Sequence, residues 1–283
     1  MNEPNPMQEK QGELFRANFP TATDVLALLG IFFVVQIVVA LLATPVLLCL
    51  GRSMADLSPK GTGAYLAVTT LVSMVTTAVL FVWYRRVRGA ASLHISYSLN
   101  LKQLQLPLLA WALGLMMALG VLFEPLYEWL PPLHQEVGRG FWSVVAVVVI
   151  APLFEEFLCR GYLLGSLRER YGELRAVLFS ALFFGILHVQ PVAVVNAFLM
   201  GVVLGVVYLA TRTLWAPILL HAANNALAYL LIRSGNEQMT FFELLGGHKV
   251  LYGVCYVLAL FFCFWSAFRV WKLLPKSTPT EEK

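Results

Sequence analysis

Apolar residues fall into eight long blocks, each long enough, or nearly so, to cross a hydrocarbon layer as a helix of about 20 residues. The blocks run from Val25 to Leu50, Ala64 to Tyr84, Leu106 to Glu124, Phe141 to Leu167, Leu174 to Val189, Pro191 to Ala210, Leu214 to Ile232 and Val250 to Trp271. The fifth is short, and only His188, Val189 and Gln190 stand between its apolar run and Pro191, which opens the sixth. A junction without a polar loop predicts that these two helices meet below the membrane surface. Irregular backbone survives there only if protein or trapped water satisfies its polar groups. The expected fold is all-α, a polytopic membrane protein of about eight transmembrane helices. Its expected divisions are a polar leader 1–24, three N-terminal helices in 25–140, a helical core 141–232, and an outer loop, last helix and basic tail in 233–283.

Composition agrees with the pattern. With 59% hydrophobic and 13% charged residues, the chain does not have the make-up of a soluble globule. A formal charge of +4, dispersed along the chain, excludes a nucleic-acid partner. The basic residues instead report orientation. The clusters Arg85-Arg86-Arg88, Arg168-Arg170-Arg175 and Arg269-Lys272 fall on one side of the predicted membrane, with Lys102 and Arg212. Arg52, Lys60, Arg139, Arg233 and Lys249 fall on the other. Both termini are therefore expected in the cytoplasm. The polar opening stretch reads as a cytoplasmic leader and not a removed signal peptide, and the expected location is a bacterial inner membrane. Cys49, Cys159, Cys255 and Cys263 lie in apolar runs without CxxC spacing and read as small buried hydrophobes. The pairs Gly161/Gly165 and Gly201/Gly205 have the small-xxx-small spacing of close helix contacts. The loop from Pro125 to Gly140 reads as an interfacial anchor.

Three charges stand where lipid-spanning helices cannot leave them alone. A charged side chain near the bilayer centre costs about 2.5–3.5 kcal/mol on insertion scales, yet PLFEEFLCRG places Glu155, Glu156 and Arg160 in the fourth block. Glu156 and Arg160 are four apart, on one helical face and in the favourable acid-before-base order, whereas Glu155 is turned about 100° away. A purely structural ion pair accounts for Glu156 and leaves Glu155 over. Further along, His188 ends an apolar run, and His221 and Asn225 share a helical face. Counting about 1.5 Å per residue from the inner helix ends puts Glu155 roughly 18 Å deep, His188 roughly 20 Å and His221 roughly 12 Å. Ionisable groups from three helices at a similar depth mark a hydrated internal site. A desolvated carboxylate takes a proton from water, an imidazole holds that water, and His221 with Asn225 has hydrogen bonds to offer a carbonyl oxygen turning negative. The chemistry these residues describe is amide hydrolysis. Cys159 faces away from Arg160 and has no histidine partner in its own helix, so it is read as core.

In this arrangement the sequence resembles the CPBP family of intramembrane proteases, which includes the type II CaaX prenyl proteases and bacterial relatives linked to bacteriocin processing and self-immunity. Glu155, Glu156 and Arg160 fit the family's EExxxR motif, Phe184 and His188 its FxxxH motif, and His221 and Asn225 its HxxxN motif, in order. The likeness covers about Phe141 to Ile232, making 141–232 the expected catalytic core. It implies that Glu155 and His188 activate the attacking water, that Glu156 and Arg160 shape the site, and that His221 and Asn225 form the oxyanion hole. It further implies a membrane-associated peptide or protein substrate, prenylated or bearing a leader or anchor. No cofactor is expected, since an HExxH zinc signature is absent; were zinc present, Glu155, His188 and His221 would be its ligands. Two other classes use the same residue types, a proton-coupled transporter and a catalytically idle scaffold or immunity protein.

Overall fold

The computed structural model describes residues 19–49, 59–88, 98–127, 129–130, 140–233 and 240–275, apart from the side chains of 47–48, 59–62, 127 and 232–233. Most of the leader, most of the loop before Gly140, and the last residues of the basic tail lie outside this set, together with the expectations placed on them. Each of the eight apolar blocks forms a helix. They are α1 (Ala22–Cys49), α2 (Pro59–Val87), α3 (Leu106–Tyr127), α4 (Phe141–Tyr171), α5 (Glu173–Ile186), α6 (Pro191–Thr211), α7 (Trp215–Arg233) and, after a one-turn α8 (Phe241–Leu244), α9 (Lys249–Leu273). Among the described residues there is no strand, only a parallel bridge between Ser98 and Thr213. The protein is an all-helical integral membrane protein.

Among the described residues six helices, α1, α2, α3, α4, α6 and α9, are long and apolar enough to cross a membrane unaided, against the eight expected. The physical reason is plain for α5: 14 residues rise about 21 Å, short of a hydrocarbon core of about 30 Å. The other apolar block outside the six, α7, carries His221, Asn224 and Asn225 in its middle.

Hydrogen bonds and ion pairs fix which helix ends share a face. Arg88 reaches both carboxylate oxygens of buried Asp24, at 2.6 and 3.1 Å, while the Tyr84 hydroxyl donates to the same group at 2.8 Å. The Tyr171 hydroxyl donates to the Pro20 carbonyl. Arg168 and Arg212 converge on Glu173, at 3.1 and 3.4 Å, and the Leu214 amide donates to the Ser98 carbonyl. The starts of α1, α5 and α7 thus lie together with the ends of α2, α4 and α6, and most of the described arginines are there.

Within the bundle, α4 packs between α2 and α7, with the two following helices, α5 and α6, paired beside it. Two stretches of α4, Val145–Ile150 and Phe157–Leu164, wind in the wider π register, which is frequent at functional sites. The Tyr162 hydroxyl donates to the Phe81 carbonyl at 2.7 Å and ties α4 to α2. The α5–α6 seam depends on glycine: a Cβ at Gly185 would stand 2.9 Å from the Val194 carbonyl oxygen, and one at Gly201 would stand 3.0 Å from the Ala181 Cα. Gly161 and Gly205 also have side chains close by, but a Cβ at Gly165 would meet nothing within 4 Å. The close contact expected at Gly165 is therefore absent, because its face of α4 meets open space.

Backbone cannot yield as a flexible side chain does, so Gly185→Ala and Gly201→Ala are each expected to destabilise the protein by about 1–3 kcal/mol. Gly165→Ala should be neutral or gain up to about 1 kcal/mol from helix propensity. Thermal melts of the three variants in detergent would check the contrast.

Candidate active site

The centre of the site is a carboxylate with no exposed surface. Glu156 lies midway along α4 and Arg160 one turn further on, and both side chains are fully buried. Arg160 Nη1 donates to Glu156 Oε1 at 2.9 Å, and Arg160 Nη2 donates to the Gly201 carbonyl on α6 at 3.0 Å. The face of the guanidinium lies over the Phe184 ring of α5, 4.6 Å from its centroid, a favourable cation–π contact once desolvated. One arginine therefore joins three helices.

The same Glu156 oxygen has a second partner. His221 of α7, also buried, places Nδ1 2.9 Å from Glu156 Oε1. Its other nitrogen, Nε2, faces Glu155 Oε2 at 3.9 Å. Glu155 is slightly exposed, at 13%, where Glu156 is at 0%; adjacent in sequence, the two acids flank one imidazole. One turn along α7, Asn225 Nδ2 donates to the Val147 carbonyl at 3.0 Å, inside the first π stretch of α4. A further turn along, the Tyr229 hydroxyl accepts from the Gly140 amide at 3.1 Å. His221, Asn225 and Tyr229 form a polar stripe at helical spacing that fastens α7 along the N-terminal half of α4.

His188 follows α5, where the chain reverses. Its Nδ1 lies 3.0 Å from the Phe184 carbonyl. The Phe184 ring makes edge-to-face contacts with both imidazoles, 5.0 Å from His188 and 5.4 Å from His221 by centroids. The turn satisfies its own backbone, with amides of His188 and Val189 donating to Gly185 and Ile186 carbonyls. Val189 takes a left-handed φ of 62°, uncommon for a β-branched residue.

All six residues singled out in the sequence thus lie around Phe184 or along the α4–α7 seam. Glu155, Glu156, Arg160 and His221 form a connected group, and His188 adjoins it through the Phe184 ring. No hydrogen bond or ion pair joins Glu155 to His188. The sequence reading missed the Gly201 and Val147 carbonyls, which no side-chain pattern could reveal. It also missed Tyr229, whose spacing of four from Asn225 was visible. Among the described residues, no three His, Cys, Asp or Glu side chains converge as a metal-binding set, so the Glu155, His188 and His221 trio does not fit zinc as it stands.

Fold and site together define a helical membrane protein with a buried acid–imidazole centre. Residues 138–227 match the family model described as Rce1-like, type II CAAX prenyl endopeptidase Rce1-like. It is also 26% identical over 88 residues to a Bacillus subtilis (strain 168) protein provisionally named membrane peptidase YdiL. That alignment covers 31% of this chain and 36% of the relative, so the chain spans little more than a third of the length of the curated relative it matches. No solved structure matches the chain significantly.

Removing one partner of a buried ion pair costs about 3–5 kcal/mol. Arg160→Leu, which also frees the Gly201 carbonyl, is expected to lower stability by that amount. The drop would be read as a lowered Tm in detergent, beside a surface control such as Arg168→Leu, for which little change is expected.

Proposed function

We propose that the chain is an intramembrane endopeptidase that hydrolyses a peptide bond of a membrane-associated substrate, with Glu155 as the base that activates water. The observation that carries this reading is the placement of a partly accessible carboxylate, Glu155, 3.9 Å from an imidazole nitrogen that a second, buried carboxylate holds in place. The family match over residues 138–227 supports it. A structural ion pair needs Glu156 and Arg160 and has no use for Glu155.

In this reading water lies against Glu155, which takes a proton as the water oxygen bonds to the carbonyl carbon. Glu155 then returns the proton to the leaving nitrogen as the carbon–nitrogen bond breaks, and the products are an amine and a carboxylic acid, which loses its own proton to solvent. His188, which adjoins the group through the Phe184 ring, helps hold the water. Asn225, on the His221 face of α7, supplies hydrogen bonds to the oxygen that turns negative. Glu156 and Arg160 hold the helices at this spacing. No step is routed through a metal, because the donor set does not gather. The arginine-rich face is assigned to the cytoplasm, in a bacterial inner membrane, and the scissile bond reaches the site from a membrane-embedded or membrane-anchored segment.

Purified protein in detergent is expected to cleave at least one of a panel of quenched-fluorescence peptides, tested with and without a C-terminal farnesyl-cysteine. Glu155→Gln should abolish cleavage while leaving Tm unchanged, whereas Glu156→Gln should lower both. Unchanged turnover in Glu155→Gln would remove the proposed base, and proton flux in liposomes without cleavage would point to a transporter. Chelation should leave turnover intact; loss on chelation with recovery on adding zinc would overturn the metal-free mechanism.

A further inference from the structure

A strap on the arginine-rich end of the bundle carries apolar side chains that no membrane-crossing helix accounts for. Residues 98–105 run from the start of α7 to the start of α3. Ser98 bridges to Thr213, and its carbonyl accepts the Leu214 amide at 2.9 Å. The Asn100 side chain then caps a one-turn helix, Leu101–Gln103, by accepting from the Lys102 amide at 2.9 Å. Leu104 packs into the cluster that holds Leu108 of α3. The strap is fixed at both ends, yet Leu99 and Leu101 are 57% and 59% exposed.

The level of the strap follows from its neighbours. Leu104 and Leu273 pack against the same cluster, to which Val270 of α9 also belongs, so the strap lies level with the end of α9. There Trp271 is exposed, the Arg269 guanidinium rests over the Trp111 ring at 5.2 Å, and the Lys272 amine rests over the Phe268 ring at 4.6 Å. A tryptophan between basic side chains that lie along aromatic rings marks the boundary of hydrocarbon and headgroups. Leucines exposed at that level meet the acyl segments just under the headgroups, and Lys102, exposed beside them, meets phosphate.

We propose that residues 98–105 are an interfacial anchor: Leu99 and Leu101 insert below the headgroups of the leaflet at the arginine-rich end, and Lys102, Arg269 and Lys272 bind the phosphates of its anionic lipids. Charge decides the class of lipid. Neither 98–111 nor 262–275 contains an Asp or Glu, so no carboxylate of these stretches competes for the three cations. Arg168 and Arg212, at the same end, differ in already facing Glu173. Because the Ser98 carbonyl holds the Leu214 amide, the anchor also ties the start of α7, the helix of His221, to the bilayer surface. Nothing in this assignment depends on the endopeptidase reading.

Spin labels test the insertion. Cys49, Cys255 and Cys263 are replaced by alanine, while Cys159, fully buried, stays unlabelled. Labels at Leu99→Cys and Leu101→Cys are read in proteoliposomes of phosphatidylcholine with phosphatidylglycerol, against Val257→Cys on the exposed face of α9. Power saturation compares oxygen, which concentrates in hydrocarbon, with a nickel chelate, which stays in water. Both strap labels are expected to be relaxed more by oxygen than by nickel, at a shallower depth than Val257. Stronger relaxation by nickel would place the leucines in water, where a protein partner fits them, and would overturn the proposal. Relaxation by neither would mean that the chain itself covers them, and would overturn it as well. Spin-labelled lipids test the charge. The protein is expected to immobilise phosphatidylglycerol in preference to phosphatidylcholine. In Lys102→Gln/Arg269→Gln/Lys272→Gln that preference should fall about twofold, since one basic side chain is worth about fivefold at a single site and the signal averages over the whole protein perimeter. A triple variant that keeps the wild-type preference would remove the headgroup assignment.

Discussion

One carboxylate oxygen, Glu156 Oε1, accepts from both Arg160 and His221 at 2.9 Å with no exposure to solvent, and much of the bundle's geometry follows from that. An uncompensated charge at this depth costs several kcal/mol. Each partner therefore has to be delivered by a helix held in register. Arg160 comes from the next turn of α4 itself, at no cost in tertiary order. His221 has to come from α7, 65 residues away in sequence, and it can do so only if α7 lies flat against the N-terminal half of α4. The Asn225 and Tyr229 contacts make that alignment, each by meeting a backbone group of α4 or of the residue before it.

The same guanidinium reaches the opposite side of the bundle. Its second donor ends on the Gly201 carbonyl of α6, and its flat face rests on Phe184 of α5. A lysine offers a point charge and could not make three differently directed contacts at once. Glycine at 201 lets α6 come close to α5, where any side chain would press on Ala181, and helix approach and charge compensation are thereby coupled. Packing in the α5–α6 seam sets the position of the carbonyl that Arg160 needs.

These dependencies mark where the sequence was legible and where it was not. Glu156 with Arg160 is an i, i+4 pair on a helix, so spacing alone revealed it, and with it the surplus of Glu155. Eight helices were legible from apolar blocks, and the short α5 was visible as a short block. The sharing of Glu156 by His221 was not, because spacing says nothing about which of two adjacent acids a distant helix will meet. Gly165 was read from the same pattern as Gly161, Gly201 and Gly205, and pattern cannot report whether a neighbouring helix is present at that height.

The shortness of α5 is itself part of the site's construction. Glu155 is the fifteenth residue of α4, close to its midpoint, so an imidazole at its depth has to lie near the middle of the bundle. A full-length α5 would carry its last residues to the far surface. At 14 residues it stops about 21 Å from its start, and the chain turns back through His188, Val189 and Gln190 into α6. Such a reversal needs backbone that satisfies itself in an apolar setting, which the tight i→i−3 contacts of His188 and Val189 provide. It also takes Val189 into a left-handed conformation that its branched side chain disfavours. One more helical turn in α5 would carry His188 about 5.4 Å along the axis, beyond the Phe184 ring that now adjoins both imidazoles. A hydrophobic block too short to span is what brings a histidine to the depth of the glutamates.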